Sequence, residues 1–136
     1  MKTILVVDDM AIFREPIAEA LEAHGYQAIC AASGRDALSA LRGGSIDLML
    51  LDISMPEMSG LEVLQAVRAD LSLRELPVVL LTAAAEREYV LKARDLGVRH
   101  YLLKSEFSLD NMLSRVQQVF TEAARVAGAA VEDEKG

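Results

Sequence analysis

Tryptophan is absent from this 136-residue chain, cysteine occurs once, proline three times, and aromatic residues make up 4%. With so few aromatics, a core has to be assembled from Leu, Val, Ile, Ala and Met. The lone Cys30 cannot close an internal disulfide, and it sits beside Ala28, Ile29 and Ala31 in a segment that reads as a packed strand. No apolar run approaches the roughly 18 residues of a membrane span. The first apolar stretch, Thr3 to Val7, is broken at once by Asp8-Asp9, which excludes a secretory signal. Together these absences predict a cytoplasmic protein in a reducing compartment, with no membrane contact. Basic residues are outnumbered 14 to 21, for a net charge of −7, and form no stripe that could track phosphates, so direct nucleic-acid binding is not expected. No phosphate-cradling glycine pattern follows the first strand, which disfavours a nucleotide site.

What is present is 52% hydrophobic and long enough for one domain with a proper core. Two periodicities alternate along it. Thr3 to Val7 is a β-rich run, and about Ala11 to His24 is helical, with Phe13, Ile17, Ala20, Leu21 and His24 on one stripe and Gly25 as the stop. Gln27 to Ala31 reads as a strand. Ser33-x-x-Asp36 opens a helix that Gly43-Gly44 closes. Leu48 to Leu51 is an apolar strand ending at Asp52, and Ser59-x-x-Glu62 caps a helix through Ala69. Pro77 to Leu81 is a strand ending at Thr82, about Glu86 to Leu96 is helical, and His100 to Leu103 is a strand ending at Lys104. A last helix starts near Leu109. Five strands alternating with five helices predict an α/β domain with a parallel sheet covered on both faces. We expect the domain to span residues 1–121. Residues 122–136, Ala-rich and then acidic, read as a helix extension, a linker or a disordered tail.

In an open parallel sheet the functional crevice lies beyond the carboxyl ends of the strands. Four of the five strands deliver a polar or charged group there: Asp8 and Asp9, Asp52, Thr82 and Lys104. Converging carboxylates repel one another, and a hard divalent ion such as Mg²⁺ relieves the repulsion. A carboxylate beside such an ion can attack phosphorus and form an aspartyl phosphate, with Lys104 supplying charge and Thr82 a hydroxyl donor. Each residue also has a plainer role open to it. Asp8 or Asp9 could cap the first helix, Thr82 or Asp52 could form a turn, and Lys104 could be a solvated loop lysine. Their joint placement carries the argument. His24 and His100 have no second ligand nearby and read as a helix end and a strand start.

The motifs Val6-Val7-Asp8-Asp9, Leu50-Leu51-Asp52-Ile53-Ser54-Met55-Pro56-Glu57-Met58-Ser59-Gly60, Leu80-Leu81-Thr82-Ala83-Ala84 and Tyr101-Leu102-Leu103-Lys104 follow in order. The spacing is thirty residues from Asp52 to Thr82 and twenty-two more to Lys104. Over roughly residues 1 to 121 the chain resembles the receiver domains of two-component response regulators. The resemblance implies a doubly wound, flavodoxin-like, five-stranded sheet of order 2-1-3-4-5. It also implies a non-enzymatic switch in a phosphorelay. A histidine kinase or histidine phosphotransfer protein would phosphorylate Asp52. Asp8, Asp9, Asp52 and the backbone carbonyl of Ser54 would hold Mg²⁺. Lys104 would contact the phosphoryl oxygens, Thr82 would move toward them, and Tyr101 would rotate inward, unless it is simply a strand aromatic packed on the sheet. An effector protein would read the face formed by about residues 86–120. The protein would act as a monomer or weak homodimer, either alone or as part of a longer regulator.

Two positions depart from the family's pattern. Ser105 follows Lys104 where proline is usual, which predicts a trans bond there and a less rigid lysine. Ala84, two beyond Thr82, cannot orient a hydrolytic water, and Ser54 could do so only weakly, so the phosphorylated form is expected to be long-lived. A phosphatase of the haloacid dehalogenase type shares the Asp, Thr, Lys and Mg²⁺ set but needs a second Asp where Ser54 stands. A third reading is a degenerate receiver that binds partners without phosphorylation.

Overall fold

The computed structural model describes residues 1–83 and 87–135, with side chains to Val126 at the C-terminal end. Its strands are β1 (Thr3–Val7), β2 (Gln27–Ala31), β3 (Leu48–Asp52), β4 (Val78–Thr82) and β5 (His100–Leu103). Its helices are α1 (Ala11–Ala23), α2 (Gly34–Arg42), α3 (Gly60–Ala69), α4 (Arg87–Asp95) and α5 (Leu109–Lys135), and a 3-10 turn (Lys104–Glu106) follows β5. All pairings are parallel, in the order β2-β1-β3-β4-β5.

The alternation of side chains along a strand divides the apolar residues between two cores. Leu5, Val7, Met49, Leu51, Val78 and Leu80 face α2, α3 and α4, where Ala37, Leu41, Val63, Leu64, Val67 and Ala93 meet them. Ile4, Val6, Leu48, Leu50, Val79 and Leu81 face α1 and α5 and pack on Ile17, Leu21, Met112, Val116 and Val119. The central strands β1, β3 and β4 are buried from end to end, which is why their sequences are unbroken apolar runs.

The helix starts follow from the expected caps. Ser33 Oγ accepts from the Asp36 amide at 3.1 Å, and Ser59 Oγ from the Glu62 amide at 3.2 Å. Helix α1 stops one residue before His24, whose Nδ1 lies 2.9 Å from the Ala20 carbonyl oxygen; the ring is exposed and stays off the core stripe. His100 starts β5 and pairs its Nε2 with Glu122 Oε2 on α5 at 2.9 Å. Arg68 ties three carbonyls together, Leu96, Arg74 and Leu76, at 2.8–2.9 Å, and so anchors the end of α4 to the segment before β4.

Some expectations need correction. Cys30 is exposed rather than packed, because β2 is an edge strand. The backbone of α5 continues as helix past residue 121 to Lys135. Ala84 and Glu86 lie outside the described residues.

One close approach in the fold bears on the site. A Cβ on Gly60 would land on the Asp52 carbonyl oxygen and on Ile53 Cα, and the Gly60 amide donates to the Ile53 carbonyl at 2.9 Å. The first residue of α3 thus lies directly against the backbone that presents Asp52. Because the obstacle is backbone and cannot swing aside, Gly60→Ala is expected to cost roughly 1–3 kcal/mol of stability. Urea denaturation would measure this, and an unchanged midpoint would contradict the close approach.

Candidate phosphoacceptor site

Register brings the strand ends level. Val7 lies beside Leu51, Asp52 beside Leu81, and Thr82 beside Leu103. The residues at or just past those ends therefore share one edge of the sheet. Apart from Thr3, the buried polar residues of the described chain are Asp8, Asp52 and Thr82, all at this edge. Burying charge is costly unless partners are built in, so a concentration of it here marks a functional place.

Asp8 is fully buried. Its amide donates to the Ala31 carbonyl at 3.2 Å, its Oδ1 accepts from the Met10 amide at 2.9 Å, and its carbonyl accepts from Arg14 Nη1 at 2.7 Å. The Asp8 side chain thus supports the turn into α1 while its other oxygen, Oδ2, faces the pocket. Asp52 Oδ1 accepts from the Ser54 amide at 3.2 Å. Lys104 Nζ closes the pocket, 3.1 Å from Asp8 Oδ2 and 3.3 Å from Asp52 Oδ1. Asp9 is exposed, yet one oxygen from each of Asp8, Asp9 and Asp52 lies within 4.8 Å of the others. Thr82 is buried, and its hydroxyl donates to the Ala83 carbonyl at 3.1 Å. Tyr101 stands apart on β5, 46% exposed. It borders a hollow of about 560 Å³ between β5 and α5, which Leu103, Phe107 and Arg115 also line. None of Asp8, Asp9 and Asp52 lines that hollow.

Burial, and then the charge of Asp8, raise the Asp52 pKa to about 7, against the opposing pull of Lys104 and the Ser54 amide. Burial works to lower Lys104, but the charges and hydrogen bonds of Asp52 and Asp8 outweigh it, and the ammonium is held above its usual value. Three carboxylates against one ammonium leave two negative charges over when all are ionised. Asp52 Oδ2 is buried with no hydrogen-bond partner among the described residues. Clustered hard oxygens, an excess of two charges and an orphaned carboxylate oxygen fit a small divalent cation.

Lys104 reaches both carboxylates although Ser105 follows it and no described peptide bond is cis. Two neighbours of the pocket were not legible as such in the sequence. Arg14 bonds the Asp8 carbonyl, and Phe13 places its ring face 4.6 Å from Lys104 Nζ. The available signal was only that α1 begins two residues after Asp9, which turns its first turn toward the pocket.

The chain is thus a doubly wound α/β protein with an acidic pocket and a lysine at the carboxyl edge of its sheet. Residues 4–117 match the response regulator receiver domain model. The chain is 36% identical over 118 residues to the chemotaxis protein CheY of Pseudomonas aeruginosa, covering 86% of this chain and 94% of that protein. It is 33% identical to the transcriptional regulatory protein CrdR of Helicobacter pylori, covering 89% of this chain but 56% of that one. Among solved structures, chemotaxis response regulator CheY4 of Vibrio cholerae superposes with a TM-score of 0.81 at 30% identity, over 88% of this chain and 98% of that one. A CheY-like receiver domain protein from Methanospirillum hungatei shares the fold at a TM-score of 0.85, 24% identity, and 92% and 98% coverage. This chain belongs to the receiver-domain family of two-component response regulators. Receiver domains bind Mg²⁺ at an acidic pocket, and the cluster of Asp8, Asp9 and Asp52 could hold a metal ion.

The raised pKa has a thermodynamic consequence in metal-free protein. The folded state binds the Asp52 proton more tightly than the unfolded chain does. Stability is therefore highest below about pH 4 as far as this group is concerned, and is lost as pH rises toward about 7. Asp52→Asn removes that loss. In chelator at pH 8 it should be more stable than wild type by on the order of 2 kcal/mol. Denaturation curves at pH 5 and pH 8 test this, and an equal pH dependence in both proteins would refute it.

Proposed function

We propose that Asp52 accepts a phosphoryl group from a phosphohistidine on a histidine kinase or histidine phosphotransfer protein. The observation that carries this reading is the convergence of Asp8, Asp9, Asp52 and Lys104 around the unpartnered Asp52 Oδ2. In the transfer, an Asp52 carboxylate oxygen forms a bond to phosphorus as the phosphorus–nitrogen bond to the donor imidazole breaks, and the imidazole keeps the electron pair. Asp8, Asp9, Asp52 and the Ser54 carbonyl would hold Mg²⁺. When bound, it neutralises charge on the phosphoryl oxygens and on the crowded carboxylates. Lys104 moves its ammonium from the Asp8 and Asp52 oxygens to the incoming phosphoryl oxygens. Thr82 exchanges its bond to the Ala83 carbonyl for one to the phosphoryl group, a stronger acceptor.

That exchange is the switch. Phosphorylation favours whichever arrangement of the loop after β4 brings Thr82 to the phosphate. Tyr101 then turns inward from its exposed position, changing the surface formed by about residues 86–120 that a downstream effector protein reads. The protein is a regulatory phosphoacceptor, and residues 1–121 form the switch unit. It acts in the cytoplasm, as a monomer or weak homodimer, through protein contacts rather than direct binding to nucleic acid. Among the described residues, no helix is long and apolar enough to cross a membrane.

Acetyl phosphate with Mg²⁺ is expected to add one phosphoryl group to the wild-type protein and none to Asp52→Asn, as read by intact mass. Modification of both proteins would defeat the assignment. With Ala84 two positions beyond Thr82 in sequence and Ser54 two beyond Asp52, neither suited to direct water, the purified phosphoprotein should persist for longer than seconds after donor removal. Loss within seconds would show that another group directs water to the phosphate.

A further inference from the structure

Lysine carries its charge on a flexible stem of four methylenes with freely rotating donors, so position has to come from its surroundings. Lys104 opens a 3-10 turn whose next two residues, Ser105 and Glu106, are exposed and supply no packing. Its ammonium nevertheless lies over both pocket carboxylates. A further contact is with α1, where Phe13, half-buried, presents its ring face 4.6 Å from Nζ. An aromatic face carries negative quadrupole density that attracts a cation, most strongly where water is reduced. An aliphatic side chain of similar size would fill the space without that attraction.

We propose that Phe13 is a positioning residue for Lys104, holding the ammonium over the pocket by a cation–π contact while it transfers from carboxylate to phosphoryl oxygens. The carboxylate contacts of Lys104 must loosen when a phosphoryl group arrives, whereas the contact with the ring need not. The ring therefore limits where the released ammonium can go. The role rests on the reading of Asp52 as phosphoacceptor.

The test compares phosphorylation rates with acetyl phosphate and Mg²⁺ in wild type, Phe13→Leu, Phe13→Met, Phe13→Tyr and Phe13→Trp. Both aliphatic variants are expected to slow phosphorylation about five-fold, with Tyr and Trp retaining near wild-type rates. In a Lys104→Ala background, Phe13→Leu should cause no further slowing. Donor-free NMR supplies a readout independent of turnover. The Lys104 ε-methylene protons should be shifted upfield by the ring in wild type and in Phe13→Tyr, and return toward ordinary values in both aliphatic variants. Unchanged rates in the aliphatic variants, or equal slowing by Phe13→Leu with and without Lys104, would overturn the proposal, the latter by showing a merely structural role. An absence of wild-type phosphorylation would instead overturn the functional reading, and the NMR shift would still report on the ring contact.

Discussion

Asp8 and Asp52 are kept out of water within reach of the same ammonium, and much of the rest of the molecule exists to hold them there. Left alone, two buried carboxylates would separate or take up a proton, and the upward shift of Asp52 shows the second tendency at work. Lys104 offsets part of the repulsion, and a divalent cation is suited to offset the remainder. The site is therefore poised: its carboxylates are most comfortable with a partner that brings positive charge, and such a partner also favours the ionised form of Asp52 at neutral pH. Strain of this kind is tolerable only on a rigid frame.

The frame is the sheet. Three central strands, buried from end to end, are sealed between two independent apolar cores, so their carboxyl ends cannot drift relative to one another. Gly60 lets α3 approach the Asp52 backbone, and Arg14 grips the Asp8 carbonyl from α1. Each acidic residue is thus fixed through its main chain as well as its side chain. Lys104 is different. It lies at an edge strand followed by an exposed turn, and its placement depends on side-chain contacts with the carboxylates and with Phe13.

On the far side of β4 and β5 the protein is looser. Tyr101 is half out of the structure beside an open hollow, and Tyr89 and Leu91 on α4 are also exposed. A family that signals through protein contacts needs such a surface, tied to the pocket through strands that the core holds in register. In the β4–β5 register Thr82 lies beside Leu103, and Tyr101 lies beside Leu80.

Much of this was legible in the sequence, for a definite reason. Short apolar runs ending in polar or charged residues, helix caps at Ser33 and Ser59, and glycine stops are local features, and local features survive the loss of the third dimension. They sufficed for the element order and for the parallel sheet. Other facts depend on which elements end up adjacent. That Cys30 is exposed follows from β2 lying at the edge, a property of strand order that no residue in β2 encodes. That Phe13 meets Lys104, ninety-one positions away, follows from how α1 packs across the sheet. The residue types at the strand ends came from the sequence alone; the distances between them, the orphaned oxygen of Asp52 and the ring beside Lys104 were decided by tertiary packing, because electrostatic and cation–π forces act through space and not along the chain.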